Sequence, residues 1–154
     1  MDTTTWFECK VTYDSTFTAE EDPKKARKKE TYLVDALSFT EAEARIIDEI
    51  TPFCVGDLEV TAVKKAKITE MVNNDDPEAD KWYKAKVMYV IIDNDVEKKV
   101  ANTFMVKAGS FAGALQHLTE VGMKGMMGEW EVAQMAETPI MDVFWYKPAE
   151  KIEN

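Results

Sequence analysis

TYLVDALSFTEAEARIIDEITPFCVGDLEVTAVKKAKITEMV, residues 31–72, and TFMVKAGSFAGALQHLTEVGMKGMMGEWEVAQMAETPIMDVF, residues 103–144, are one pattern written twice without a gap. Moving Thr31 onto Thr103 also superimposes Val34 on Val106, Ala36 on Ala108, Ser38 on Ser110, Phe39 on Phe111, Ala42 on Ala114, Gly56 on Gly128, Glu59 on Glu131, Val60 on Val132 and Ile68 on Ile140. Polarity is kept between the identities, as in Tyr32/Phe104, Leu33/Met105, Ile46/Leu118 and Glu70/Asp142. A second match, Trp6 to Tyr13 against Trp82 to Tyr89, needs a slightly larger shift, so the loop that follows is longer in the first copy. Kept register with kept polarity is the signature of a duplicated supersecondary unit, whose copies bury together what neither buries alone.

Within each copy the periods change in a fixed order. Trp6 to Tyr13 alternates, with Phe7, Cys9, Val11 and Tyr13 on one side and Trp6, Glu8, Lys10 and Thr12 on the other, which is a half-buried strand. The same split in the second copy turns Tyr83, Ala85, Val87 and Tyr89 inward. Second strands are expected at 29–36 and 100–108, after loops 14–28 and 93–98; Asp93-Asn94-Asp95 is turn chemistry. Ser38 and Ser110 stand as helix N-caps, and Ser38-Phe39-Thr40-Glu41 fits a capping box. The first helix then buries Phe39, Ala42, Ile46 and Ile50 and stops at Thr51-Pro52. The second buries Phe111, Ala114, Leu115, Leu118 and Val121, with Gly122 as its C-terminal cap. Residues 57–72 and 129–146 are too long for single strands and read as bent strands or pairs, with Pro139 as a break.

The expected fold class is α+β. It is a tandem duplicated β-β-α-β(β) unit, with the first repeat at 1–72, a linker at 73–81, the second repeat at 82–146 and a frayed tail at 147–154. These make one compact pseudo-symmetric domain. Both helices pack on one face of a largely antiparallel sheet, leaving the other face partly open.

Composition narrows the function classes. The chain has 154 residues, with 29 Asp+Glu against 19 Lys+Arg. Nucleic-acid binding is disfavoured, because neutralising phosphates needs basic surface. The one dense basic run, Lys24 to Lys29, follows Glu20-Glu21-Asp22 and reads as a solvated hairpin arm. Neither a signal peptide nor an apolar stretch long enough to cross a bilayer is seen, which points to the cytoplasm. Cys9 and Cys54 form no metal or redox motif and are expected to be buried thiols. No cofactor or metal is called for: Asn73 to Asp80 lacks the ligand spacing and central glycine of a calcium loop.

The wording Trp6-Phe7-Glu8, Lys10-Val11 and Tyr13, together with Tyr32-Leu33-Val34-Asp35-Ala36-Leu37-Ser38-Phe39-Thr40-Glu41-Ala42-Glu43-Ala44-Arg45, resembles an uncharacterised family. It is a domain of unknown function found in gut Bacteroidetes and in phages that infect them. The resemblance implies a bacterial or phage origin and an intracellular setting, and carries over no catalytic or binding residue.

Candidate chemistry therefore rests on the residues. His117, the single histidine, lies off the apolar stripe and reads as a rim residue. Glu59/Glu131 and Glu70/Asp142 recur in both copies and would form an acid/base pair only if they met across the pseudo-twofold axis. Trp6 and Trp82 fall on the polar side of both first strands, where the core requires no large aromatic, and are the leading candidates for partner contact. Met123-Lys124-Gly125-Met126-Met127-Gly128 reads as core filling with glycine turns. The sequence thus favours a small non-catalytic module that binds another protein, alone or as a homodimer. The alternatives are an acidic inhibitor or DNA mimic of a phage or mobile element, and an enzyme with a carboxylate site on the pseudo-twofold axis.

Overall fold

A computed structural model describes residues 4–15 and 27–146. Glu20 to Ala26 of the expected basic arm and the expected frayed tail, 147–154, lie outside the described residues. The class is α+β, as expected. Among the described residues eight strands form two four-stranded sheets, ordered β3-β1-β2-β8 and β4-β6-β5-β7. The strands are β1 Thr5–Ser15, β2 Arg27–Ala36, β3 Cys54–Ala66, β4 Glu70–Val72, β5 Lys81–Asp93, β6 Val96–Ala108, β7 Trp130–Glu137 and β8 Ile140–Phe144. Helix α1, Phe39–Ile50, serves the first sheet, and α2, Phe111–His117 with the π-helical turn Leu118–Gly122, the second.

The chain divides into two compact units, Met1–Ala66 with Ile140–Asn154, and Lys67–Pro139. Among the described residues each has three antiparallel strands and a helix, completed by one parallel edge strand. β8 pairs parallel with β2 through Tyr32↔Asp142, Leu33↔Val143 and Val34↔Phe144. β4 pairs parallel with β6 through Glu70↔Phe104, Met71↔Met105 and Val72↔Val106, the same pairing at the matching positions. The reason is topological. β2 and β3 both run antiparallel to β1, so a strand parallel to β2 in the same sheet would need a long crossover after β3. Crossovers take a dozen or more residues. Only Lys67 to Thr69 lie between β3 and β4, and only Thr138 and Pro139 between β7 and β8. Each last strand therefore completes the sheet it does not follow. This is why the helices are divided, one to a sheet.

Local chemistry explains the elements. Ser38 accepts from the Glu41 amide at 3.1 Å while the Glu41 carboxylate accepts from the Leu37 amide at 3.0 Å, so the capping box closes one residue upstream of the cap. Ser110 accepts from Gly113 at 3.0 Å, with no side chain at Gly113 to reciprocate. The β5–β6 hairpin turns on Asn94 and Asp95, both left-handed at φ 53 and 63, residue types that tolerate the conformation. A bulge falls between Lys10 and Val11 and again between Lys86 and Val87, at equivalent points of the two sheets.

Unit 1 is cored by Phe7, Cys9, Val11, Tyr32, Val34, Ala42 and Ile46. Unit 2 is cored by Tyr83, Ala85, Val87, Phe104, Val106, Ala114 and Leu118. Three expectations change. Phe39 and Phe111 are 48% and 54% exposed rather than buried. As first helical residues their Cβ atoms tilt toward the helix N-terminus, and each ring meets a sheet aromatic in a T-shaped contact, Phe39 at 4.9 Å from Phe7 and Phe111 at 6.2 Å from Tyr83, with the Lys65 ammonium 5.8 Å over the Phe39 ring. Leu115 and Val121 are likewise exposed, leaving Ala114 and Leu118 as the buried stripe. Gly122 is not a left-handed cap. It sits in the π-helical turn, where a Cβ would lie 3.0 Å from Leu118 and 3.1 Å from Val72, so glycine admits β4.

Candidate functional site

Trp82 is 2% exposed and is withdrawn as a surface anchor. Alternation does place it away from α2, but that face is not bare: Met105, its diagonal neighbour, is buried as well, and the Lys107 ammonium stands 5.9 Å over the indole. In unit 1, Leu33 and Val143 are buried on the helix-free face in the same way. Trp6 is half-buried, edge-on to Trp145 at 6.0 Å. The open sheet face expected from the sequence survives only farther along the strands. On unit 2 it forms a shallow 620 Å³ depression lined by Lys84, Lys86, Ala101, Thr103, Gln134 and Ala136.

The carboxylates are dispersed. Glu59 and Asp142 belong to unit 1, Glu131 and Glu70 to unit 2, and all four are exposed on strands. His117 donates from Nε2 to the Asn73 carbonyl at 2.6 Å; a carbonyl only accepts, so the proton sits on Nε2. It lines a 530 Å³ polar cleft with Asn74, Asp76, Glu78, Gln116 and Glu120. Asn74 and Asp76 are used in Asx turns, accepting from the Asp76 and Glu78 amides at 3.0 and 2.9 Å. Among the described residues no group of three or more acidic, histidine or cysteine side chains is arranged to hold a metal ion.

One polar network was invisible in the sequence. In the core of unit 1 the hydroxyls of Tyr13 and Tyr32 both donate to Glu30, the latter at 3.0 Å. Burial and then the Glu30 contacts push Tyr13 up to about 12; burial and the Glu30 charge also raise Tyr32. Both phenols stay neutral, as donors that satisfy a carboxylate. The matching place in unit 2 holds a neutral pair, Asn102 Nδ2 donating to Tyr89 Oη at 2.9 Å. Cys9 is buried as expected, and burial lifts its thiol to about 12. Cys54 is only half-buried, and burial followed by Asp14 raises it. Raised thiols are poor nucleophiles at neutral pH.

What unit 2 does present is apolar surface at one end. The β5–β6 hairpin carries Ile91, Ile92 and Val96 at its tip, with Ile92 74% exposed, and Met127 is 89% exposed in the loop after α2. Gly125 and Gly128, at φ 84 and 97, take conformations that favour glycine, and the Val90 amide ties the loop to the hairpin through the Glu129 carbonyl at 3.3 Å. Between them lies a 440 Å³ groove lined by Met88, Tyr89, Val90, Lys99, Glu129, Trp130 and Glu131. The methionine segment is thus only partly core filler: Met123 is buried, whereas Met126 and Met127 face solvent.

Among the described residues no helix is long and apolar enough to cross a membrane. No curated protein matches the chain. A family's sequence model matches residues 5–146, and the chain belongs to that family, the domain of unknown function DUF4494.

Proposed function

We propose that the chain is a non-catalytic binding module that engages a protein partner through the hairpin tip and methionine loop of unit 2. The observation that carries this reading is the exposure of Ile92 and Val96 on the hairpin and of Met127 on the loop, the two segments whose Val90 and Gly128 line the groove that holds Trp130. Exposed apolar side chains around a half-buried aromatic are the usual composition of a partner surface, and methionine adapts to the partner's shape. Trp6, half-buried against Trp145, takes no leading part in this reading.

The setting follows from the resemblance at residues 6–13 and 32–45, which supports a bacterial or phage origin and a cytoplasmic location. The protein-binding reading is preferred to a DNA mimic because lysines interleave with the strand carboxylates, as in Asp57-Leu58-Glu59 followed by Lys64-Lys65 and Glu97 followed by Lys98-Lys99. A phosphate-like row of acids would not be interrupted in this way. The raised thiols and phenols of unit 1 favour binding over catalysis. The test compares affinity capture by wild-type protein with capture by the double variant Ile92→Lys, Met127→Glu. A specific partner lost at least tenfold by a variant with unchanged circular dichroism supports the surface. A partner retained in full refutes it.

A further inference from the structure

We infer that the helix-free face of unit 2 takes an extended segment of a protein partner in which acidic residues at alternate positions are followed by apolar ones. The inference rests on the binding surface proposed above and names the chemistry of what it binds. On the face turned away from α2, β5 reads Lys84, Lys86, Met88, Val90 and Ile92 at every second residue, two cations and then three apolar side chains. Two cavities follow the same order. The 620 Å³ depression is lined by Lys84 and Lys86 and the 440 Å³ groove by Met88 and Val90, with Ile92 exposed at the hairpin tip. Ala101, Thr103 and Ala136, short side chains on the flanking strands, leave the space around the two lysines open. Successive side chains on one face of a strand stand about 7 Å apart. An extended segment lying along β5 therefore meets these residues with every second side chain of its own.

Charge decides what the lysine half receives. The chain carries a net charge of -10, yet Lys84 and Lys86 are exposed and have no ion-pair partner among the described residues. The matching place in unit 1 holds Glu8 with Lys64 as its register partner, so that face supplies its own countercharge. Unit 2 sets Lys84 against Ala136 instead. The carboxylates of this face, Glu131 and Glu97, stand opposite Met88 and Ile92, beside the apolar half. Two unneutralised cations call for an anionic ligand. Nucleic acid bound on a sheet face is held by stacking on accessible aromatic rings, and the aromatic that β5 puts on this face, Trp82, is 2% exposed beneath Lys107. Carboxylates need no such ring, and local charge complementarity acts where the rest of the acidic surface is screened.

The test measures fluorescence anisotropy of three labelled probes with the full chain. One is a synthetic peptide that alternates serine with two glutamates and then two leucines; another has the same composition in scrambled order; the third is a short oligothymidylate. The ordered peptide should bind best, and more weakly as salt rises. The double variant Lys84→Glu, Lys86→Glu, with unchanged circular dichroism, should lose it by about tenfold or more, and replacing the peptide's glutamates by lysines should restore binding to that variant. Failure of the ordered peptide to bind, a smaller loss, or a scrambled peptide or oligothymidylate bound as tightly would overturn the inference. The same lysine variant in affinity capture, beside Ile92→Lys, Met127→Glu, separates the two readings. A partner that depends on the tip and loop but not on Lys84 and Lys86 leaves the surface standing and removes this inference. Peptide binding that depends on the lysines, with no captured partner depending on Ile92 and Met127, removes the tip and loop and keeps the lysine half.

Discussion

His117 Nε2 holds the carbonyl of Asn73 at 2.6 Å, where the chain leaves β4. At the equivalent point of unit 1, Arg45 holds the carbonyl of Trp145 at 2.6 Å, where the chain leaves β8. Different side chains thus make the same bond: a basic residue on the helix latches the parallel edge strand of its sheet. The rest of the latch is kept as well, since Asn74 Nδ2 donates to the Lys107 carbonyl at 3.1 Å as Arg45 donates to that of Asp35.

The two latches should differ in strength. Hydrogen bonds from charged groups contribute about 1.5–3 kcal/mol and neutral ones about 1 kcal/mol. Arg45→Ala, which also loses the stacking over Tyr146 at 5.9 Å, should destabilise more than His117→Ala in urea titrations. Hydrogen exchange should accelerate at 140–144 in the first variant and at 70–72 in the second. Equal effects at both strands would show that the helix residues are not strand-specific latches.

Truncation of the core should separate buried from exposed helix residues. Ile46→Ala and Leu118→Ala remove fully buried side chains and should each cost about 2–5 kcal/mol. Phe39→Ala and Phe111→Ala remove half-exposed rings in T-shaped contacts with Phe7 and Tyr83, each contact worth about 0.5–1.5 kcal/mol beyond the area it buries, and should cost less. Chemical denaturation of the four variants checks the order.

Alkali should attack unit 1 through its tyrosines. Burial and the Glu30 contacts push Tyr13 in the folded protein up to about 12, above the ordinary phenol value of 10.0, so the unfolded state loses its proton first. The resulting stability is intact below the unfolded value and is lost as pH rises through the folded one. Tyrosinate absorbance should show Tyr13 ionising late in the folded protein, and Tyr13→Phe should remove its share of the alkaline loss. A Tyr13 that titrates with the ordinary phenols would contradict the network with Glu30.

Thiol labelling should reach one cysteine in the native protein, slowly because its thiol is raised, and the other only on unfolding. Cys54 is half-buried while Cys9 is sealed beneath α1 with a thiol near 12. Mapping an aromatic disulfide reagent at neutral pH should therefore find Cys54 modified first. Simultaneous labelling of both in the native protein would mean that the unit 1 core opens readily.

Part of the candidate surface was visible in the residues and part was not. The methionine loop stood out by composition, and the run Val90-Ile91-Ile92 breaks the alternation of its strand just before the Asn94-Asp95 turn, which is the signal that the hairpin tip departs from the core pattern. Trp82 misled because alternation reports which face a side chain is on, not whether that face is covered. The Tyr13–Glu30–Tyr32 network depends on strand pairing that brings Tyr13 to Glu30, 17 residues away, and no local pattern announces it.

What the amino-acid sequence determines by itself is whatever depends on near neighbours: the strand periods, the Ser38 and Ser110 caps, the stop at Pro52, the turn at Asn94-Asp95, and the match of residues 31–72 with 103–144. The tertiary structure alone decides where β4 and β8 go. Their pairing is set by strand direction and connector length, since a three-residue or two-residue link cannot carry a chain back along a sheet to a parallel position. That geometric constraint divides the strands into two sheets and makes each sheet depend on a strand that sequence order assigns to the other repeat.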